Sequence, residues 1–360
     1  MNRIDGLRLD SVWADAGGEA LADAVPDSLR QALGDSGDAL ASSGAVPAET
    51  LLKTLDGRSV LSLLGDALRG QEPTVVRSLG LLCGLLLLSS VWRLWRRERE
   101  SGTGEVFSVL CTAVMALTVF GFLERQMDAV AAVQTQIHSA MTAAVTAVTC
   151  LSAMRGGVVQ ATVMRAGMGL FLAFAEVVCG GLLLPFVRLC GGMTIASVLG
   201  GGLKLDGVSA FLRKTFLFLT GALMMLLTAV LSCQRVLAKS ADSVSLRAVK
   251  FALGSAVPVI GSAVGEAASA VGAGFSLLEK SAGMLGILIV LWQVLPPLLT
   301  VYLGKLVFSV SAALGEVLEL SAEMSLCREA EALSGFLCAV MTAECVLYTL
   351  LLSLCMGGAA

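Results

Sequence analysis

Two long stretches of the chain contain no charged side chain, and they limit the possible folds more than any other feature. They cover residues 215–234 and 281–304. A helix needs about 20 apolar residues to cross a hydrocarbon core of about 30 Å. Lipid offers no hydrogen-bond partners to the backbone, so an apolar run of this length crosses as a helix. The sequence therefore predicts an all-α, polytopic membrane protein.

The overall composition indicates the same class. The mean hydropathy is +0.84, and only 15% of the residues are charged, whereas soluble domains average about 25%. The ten cysteines are dispersed and the chain has a single histidine, His138. These numbers argue against a structural zinc site, and we expect no metal and no cofactor.

Seven apolar segments are candidates for membrane spans. The working count is seven, within a range of six to eight, because residues 129–154 could cross the membrane or lie along it as an amphipathic helix. The segments are residues 78–92, 106–123, 129–154, 164–187, 215–234, 281–304 and 333–356. Charges at Glu124, Arg125 and Asp128 predict a boundary between the second and third segments.

The first 76 residues differ from the rest of the chain. They hold twelve acidic and six basic side chains, so the remainder carries a net charge of +3. Short helical patterns flank a stretch rich in Gly, Ser, Ala and Asp. We expect a small, acidic, partly flexible helical domain over residues 1–76 and a transmembrane domain over residues 77–360. The acidic part argues against nucleic acid as a partner.

Basic residues give an orientation for the first span. Arg93, Arg96, Arg97 and Arg99 follow it closely, and such loops lie on the cytoplasmic side. The N-terminal domain then lies outside the cytoplasm. Both flanks of residues 215–234 are basic, so the orientation of the later spans is open. The chain as written opens without the pattern of a cleavable signal peptide.

Residues 251–275 have the most unusual composition in the chain. This segment is dense in Gly, Ala and Ser, is interrupted by Pro258 and Gly261, and carries Glu266. One interpretation is a closely packed pair of amphipathic helices, because small residues let helices approach in lipid. The other is a re-entrant hairpin that lines a pathway, because irregular backbone at membrane depth must face protein or water.

No arrangement of residues predicts catalysis, so we expect no enzyme and no catalytic residue. Ionisable side chains within apolar runs remain as candidates, because they are costly in lipid and mark interior or water-facing positions. Arg165 and Glu344 are close enough to span ends to reach the membrane surface. That leaves Glu176 and Glu266 as the stronger candidates for a pathway, although Glu176 could instead form a structural pair with an arginine.

Most of the chain resembles a known family. The resemblance covers roughly residues 78–356, is most specific between Arg247 and Gly261, and identifies the chain as similar to the stage III sporulation protein AE family. The features that carry it are Ser245, Leu246, Arg247, Lys250 and Phe251, then Pro258, Val259 and Gly261, then the Gly283 to Gly286 entry to a span that ends at Pro297. Arg247, Lys250, Pro258, Gly261 and Pro297 thereby join Glu176 and Glu266 as candidates for a pathway or for packing.

The resemblance implies a function without catalytic residues. Members are expected in the mother-cell membrane around the forespore, with the other stage III sporulation proteins, AA to AH, and stage II sporulation protein Q as partners. This chain would be the permease-like or platform subunit of a channel complex required for late forespore gene expression. The alternative is an independent secondary transporter of a small metabolite or ion, suggested by Glu176, Glu266 and the interrupted segment.

Overall fold

In the computed structural model, long helices run side by side. The structure describes residues 9–34, 57–96, 103–154, 158–200 and 261–357, with isolated positions between 211 and 229. Three short N-terminal helices are α1 (Leu9–Asp15), α2 (Gly18–Asp23) and α3 (Asp27–Leu33). The long helices are α4 (Gly57–Arg96), α5 (Thr103–Met154), α6 (Val158–Glu176), α7 (Leu184–Gly200), α8 (Gly261–Val317) and α9 (Ser321–Gly357). No strand occurs among these described residues, which confirms the all-α class.

Helix α5 corrects the predicted division into a second and a third span. It runs through Glu124, Arg125 and Asp128 without a break. No Gly or Pro occurs between residues 122 and 154, and charged side chains alone do not end a helix. Its 52 residues make a rod of about 78 Å at 1.5 Å per residue. That length exceeds the hydrocarbon core of about 30 Å by more than a factor of two.

Helix α8 is also continuous through a predicted irregular region. From Gly261 onward, the small-residue segment is helical and joins the apolar span that follows it. Residues 251–260, with Pro258, lie outside the described part of the chain. Pro296 and Pro297 lie inside the helix. Prolines in membrane helices are tolerated when neighbouring groups satisfy the freed backbone.

Helices α5, α8 and α9 form the core of the bundle. A short connection, residues 318–320, turns α8 back into α9, and Gly315 lies against Met324 at this turn. Gly286 of α8 faces Ala144 of α5, and Phe308 packs edge-on against Phe122 with ring centroids 5.4 Å apart. Helix α8 is therefore antiparallel to both neighbours, which makes α5 and α9 parallel to each other.

The remaining long helices lie around this core. Helix α4 packs on α5 and α8, and Trp92 stacks on Phe107 near the connection to α5. Helix α6 passes into α7 through a π-helical segment, Val177–Leu183, within the predicted span at residues 164–187. The Phe171 ring of α6 meets the Tyr348 ring of α9 edge-on, with centroids 6.4 Å apart.

The three N-terminal helices pack on the side of the bundle. Trp13, Leu21 and Leu29 are buried in the same apolar core as the long helices. Trp292 Nε1 of α8 donates a hydrogen bond to Ser28 Oγ at 2.9 Å, and Gln293 Nε2 donates to the Ala24 carbonyl at 3.4 Å. Helix α4 continues through residue 76, the predicted domain boundary.

Five helical segments in the described residues are long and apolar enough to cross a membrane. They are residues 75–92, 109–154, 161–193, 274–317 and 321–353. Together they account for six of the seven predicted segments, two of which lie in α5. The seventh, residues 215–234, lies outside the continuously described part of the chain. The prediction of a polytopic helical membrane protein is confirmed, and the count of seven stays a prediction.

Candidate functional site

Glu344, in the last helix, is one of the buried acidic side chains of the described residues, together with Glu279 and Glu323. It is 4% exposed, and Gln134 Nε2 of α5 donates a hydrogen bond to its Oε2 at 3.0 Å. The expectation that Glu344 reaches the membrane surface is wrong, because its side chain points inward at α5. A carboxyl group that is buried among helices needs a hydrogen-bond partner, since it cannot reach water.

Two further hydrogen bonds join the same two helices. Thr112 Oγ1 donates to Glu323 Oε1, and Ser334 Oγ donates to Gln126 Oε1, both at 2.9 Å. The two partners are 211 residues apart in sequence in the Thr112–Glu323 bond, 208 apart in the Ser334–Gln126 bond and 210 apart in the Gln134–Glu344 bond. This near-constant offset is the register of two parallel helices.

We refer to these six residues as the polar seam. All six are buried, and the seam consists of Thr112, Gln126, Gln134, Glu323, Ser334 and Glu344. From its first to its last residue on α5 it extends about 33 Å along the helix axis. Interhelical hydrogen bonds of this kind join helices in lipid, where hydrophobic burial alone gives little preference for one pairing over another.

The π-helical segment packs against one end of the polar seam. A Cβ placed on Gly180 would lie 4.0 Å from Gln134 Oε1, and the neighbouring Cys179 of the same segment is buried. Gln134 Oε1 is buried and accepts no hydrogen bond within the described residues. Single-turn π-helical segments occur often at functional sites, where they change the direction of the following side chains. This end of the seam is therefore the best candidate site.

Glu176 lies one step outside that site. It is the last residue of α6, its side chain is 62% exposed, and its Oε2 lies 3.2 Å from His138 Nε2. His138 follows Gln134 by one turn on α5, so the pair lies at the outer edge of the seam. One interpretation of the sequence expected Glu176 to pair with an arginine. Its partner in the structure is instead a histidine.

The other predicted site residues are distributed over α8 and the part of the chain before it. Arg247, Lys250 and Pro258 lie outside the described residues. Gly261 begins α8, Glu266 lies within its first turns, and Pro297 lies half-buried in its middle beside Pro296. Their assignment to a pathway or to packing stays a prediction.

The sequence contained a signal for the polar seam that the search for acidic residues missed. Gln126 and Gln134 are strongly polar and lie within an apolar stretch, eight residues apart on one helix. Neutral amides are not ionisable and so were not among the candidates, and Glu344 was set aside because it lies close enough to a span end to reach the membrane surface. Their pairing requires the knowledge that α5 and α9 are neighbours.

The chemistry available at the site is that of hydrogen-bonded carboxyl, amide and hydroxyl groups. Within the ranges that the structure describes, no three His, Cys, Asp or Glu side chains are grouped to hold a metal ion. The seam groups bind one another across the helix interface. They can maintain a helix register, and Glu344 can take up or release a proton.

Long apolar helices around a buried polar seam define the class of protein, which is a polytopic helical membrane protein. A comparison with family models gives the family. The model of stage III sporulation protein AE matches residues 60–358, so the chain belongs to that family and the resemblance noted in its sequence is confirmed. No curated protein and no solved structure matches the chain.

Proposed function

We propose that this chain is the permease-like or platform subunit of a channel complex that joins the mother cell to the forespore. Membership of the stage III sporulation protein AE family over residues 60–358 carries the proposal, since it assigns the chain to stage III of sporulation. In this role the protein lies in the mother-cell membrane around the forespore and is required for late forespore gene expression.

The geometry of the core supports a platform. Helices α5, α8 and α9 bury large apolar side chains against one another, among them Phe308, Tyr348 and Met115. The polar seam adds three hydrogen bonds that specify the register of α5 against α9. A core with one specified packing provides a stable surface on which other subunits can assemble.

The proposed partners are the other stage III sporulation proteins, AA to AH, and, through the complex, stage II sporulation protein Q. The N-terminal helices offer such partners a surface on the side of the bundle. They are docked on α8 by Trp292 and Gln293, so they form a fixed surface on the bundle.

The test is deletion of the gene in its spore-forming host. A reporter for late forespore-specific transcription is followed together with engulfment. Normal engulfment with a silent reporter, restored by the intact gene, is the expected result. Normal spores in the deletion strain would overturn the proposal.

A second candidate function is an independent secondary transporter of a small metabolite or ion. One observation favours it: Glu344 is a buried carboxyl group beside a π-helical segment in the interior of a membrane bundle. A transporter that couples to proton uptake at this carboxyl loses activity in Glu344→Gln, because the amide cannot titrate. A platform tolerates this change wherever the protein accumulates.

The matched control for that experiment is Glu316→Gln. Glu316 is also a helical glutamate of this bundle, but its side chain is 63% exposed in an ion pair with Arg328. Sporulation is measured in both strains at equal protein level. Loss confined to Glu344→Gln favours the transporter, and normal sporulation in both strains favours the platform.

A further inference from the structure

A groove with two arginines at one end lies between α4 and α5. Its cavity measures about 440 Å³ and is lined by Arg77, Ser78, Leu81, Leu82, Leu117, Thr118, Gly121, Phe122 and Arg125. Sites for small molecules measure about 300–1,000 Å³. None of its lining residues belongs to the polar seam, and none was predicted from the sequence as a site residue.

The two arginines are free to bind an anion. Both Arg77 and Arg125 are exposed, and neither forms an ion pair within the described part of the chain. They approach the cavity from different helices, so one ligand can contact both. An arginine is well suited to bind phosphate, because its guanidinium group donates two parallel hydrogen bonds.

Apart from Ser78 and Thr118, the rest of the groove is apolar. Leu81 and Leu117 are 44% and 66% exposed, and Leu82 is buried beneath them. Phe122 is held at the groove by its edge-on contact with Phe308. Thr118 contributes little polarity, because its hydroxyl already donates to the Val114 carbonyl at 2.8 Å.

The position of the arginines along the bundle suits a lipid headgroup. Apart from Met154 at its last position, the large exposed apolar side chains of α5 lie N-terminal to Arg125, at Val109, Leu110, Val114 and Leu117. The exposed residues between Arg125 and Met154 are polar or small, beginning with Arg125 and Asp128. On α4, Leu61 and Val76 come before Arg77, and most of the exposed apolar residues follow it, at Leu81, Leu87, Leu88, Val91 and Leu94. Both arginines therefore lie at one edge of an apolar outer surface.

We propose that this groove binds one anionic phospholipid. Its phosphate lies between the guanidinium groups of Arg77 and Arg125, and an acyl chain runs along Leu81, Leu117 and the open face of Gly121. A cationic site above an apolar channel matches the two parts of such a lipid, and basic pockets between membrane helices bind anionic headgroups elsewhere. The site uses the leaflet away from the Arg93 end of α4.

The test is native mass spectrometry of the purified full chain, with phosphatidylglycerol and phosphatidylethanolamine supplied in equal amounts. We expect selective retention of phosphatidylglycerol. Arg77→Gln and Arg125→Gln each lower its affinity about fivefold, since a basic side chain near a membrane surface contributes about 1 kcal/mol. The control is Arg165→Gln, which removes an exposed arginine from α6 and leaves retention unchanged.

A second variant tests the apolar part without changing a charge. A Cβ on Gly121 meets no atom within 4 Å, so Gly121→Leu fills the groove without disturbing the fold. We expect it to lower phosphatidylglycerol retention at least fivefold. Gly169→Leu is its control, because Gly169 is equally open and lies on α6.

Three results would overturn the proposal. The first is equal retention of both lipids by the unchanged protein, or no retention of either. The second is full retention by the Arg77→Gln/Arg125→Gln double variant with an unchanged elution profile. The third is displacement of the ligand by millimolar inorganic phosphate together with normal binding by Gly121→Leu, which would identify a site for a soluble anion.

Discussion

The apolar segments of helices α4 and α8 have similar hydropathy but different surroundings. Residues 75–92 of α4 have a mean hydropathy of 1.8, and residues 274–317 of α8 have a mean hydropathy of 2.1. The buried share is 17% for the α4 segment and 50% for the α8 segment. Leu87 and Leu88 of α4 are exposed, while Leu285 and Ile289 of α8 are fully buried. Apolar composition thus identifies a membrane helix, but it does not distinguish contact with lipid from contact with protein.

The largest effect that would test this comparison is expected from a glycine of α8. A Cβ on Gly304 would collide with Gln126 Nε2 and would lie 3.2 Å from Phe122 Cε1. Gln126 cannot move away without breaking its bond with Ser334. We expect Gly304→Leu to lower the free energy of unfolding by about 3 kcal/mol, as overpacking does in tight cores. Denaturant unfolding of the purified protein in detergent measures it.

Gly80→Leu in α4 is the matched control. A Cβ there meets no atom within 4 Å, and leucine is a better helix former than glycine. We expect no loss of stability. Similar losses for both substitutions would show that α4 is as tightly packed as α8 and would remove the distinction.

The next effect concerns polar groups in the interior. Gln134→Leu leaves the buried Glu344 carboxyl without its donor, which we expect to cost about 2 kcal/mol. Adding Glu344→Leu removes the second polar group as well, so the double variant should recover part of the loss. A double-mutant cycle should give a coupling of about 1 kcal/mol, within the range found between membrane helices. Strict additivity of the two losses would contradict the hydrogen bond.

A smaller effect is expected at the edge of the polar seam. His138 and Glu176 are close, but the glutamate side chain is 62% exposed. Solvent weakens such a pair, so Glu176→Gln should change the free energy of unfolding by about 0.7 kcal/mol or less. Unfolding of His138→Asn, Glu176→Gln and the double variant measures the coupling. A coupling as large as that of Gln134 with Glu344 would place this pair in the interior.

The smallest effect is expected where α8 turns into α9. Arg328 Nη2 lies 2.8 Å from Glu316 Oε2, and both side chains are more than half exposed. We expect Glu316→Gln to change stability by about 0.3 kcal/mol. The change in the free energy of unfolding caused by this substitution is the reference value for a carboxyl group at the surface. Raising the salt concentration should abolish that change, because salt screens exposed charges. A loss that persists in high salt would contradict the surface assignment.

Most of the helical class could be predicted from the sequence, and the limits of single elements less well. The apolar runs in α4 and α9 were predicted within a few residues at one end or both, whereas the run predicted at residues 281–304 is shorter at both ends than the apolar segment 274–317 of α8. Helix α5 was predicted as two spans, because Glu124, Arg125 and Asp128 in a short interval are typical of a membrane boundary. A helix can continue past the membrane surface. Without Gly or Pro in this interval, nothing in the sequence ends the helix there.

The candidate site was less predictable than the fold. Glu176 was predicted as a candidate because it is a charge within an apolar run, and it lies at the edge of the candidate site. Glu344 and its partner Gln134 are 210 residues apart, and no local pattern connects two residues at that distance. The proposed lipid groove likewise depends on the packing of α4 against α5, which places Arg77 and Arg125 at one cavity.

The sequence by itself determined the class of protein and its family, because hydropathy and family resemblance depend on which residues occur and in what order. Tertiary structure decided which apolar faces are buried in protein and which polar side chains meet. Those outcomes depend on contacts between distant segments, where close packing and hydrogen-bond geometry choose one pairing among many of similar hydropathy.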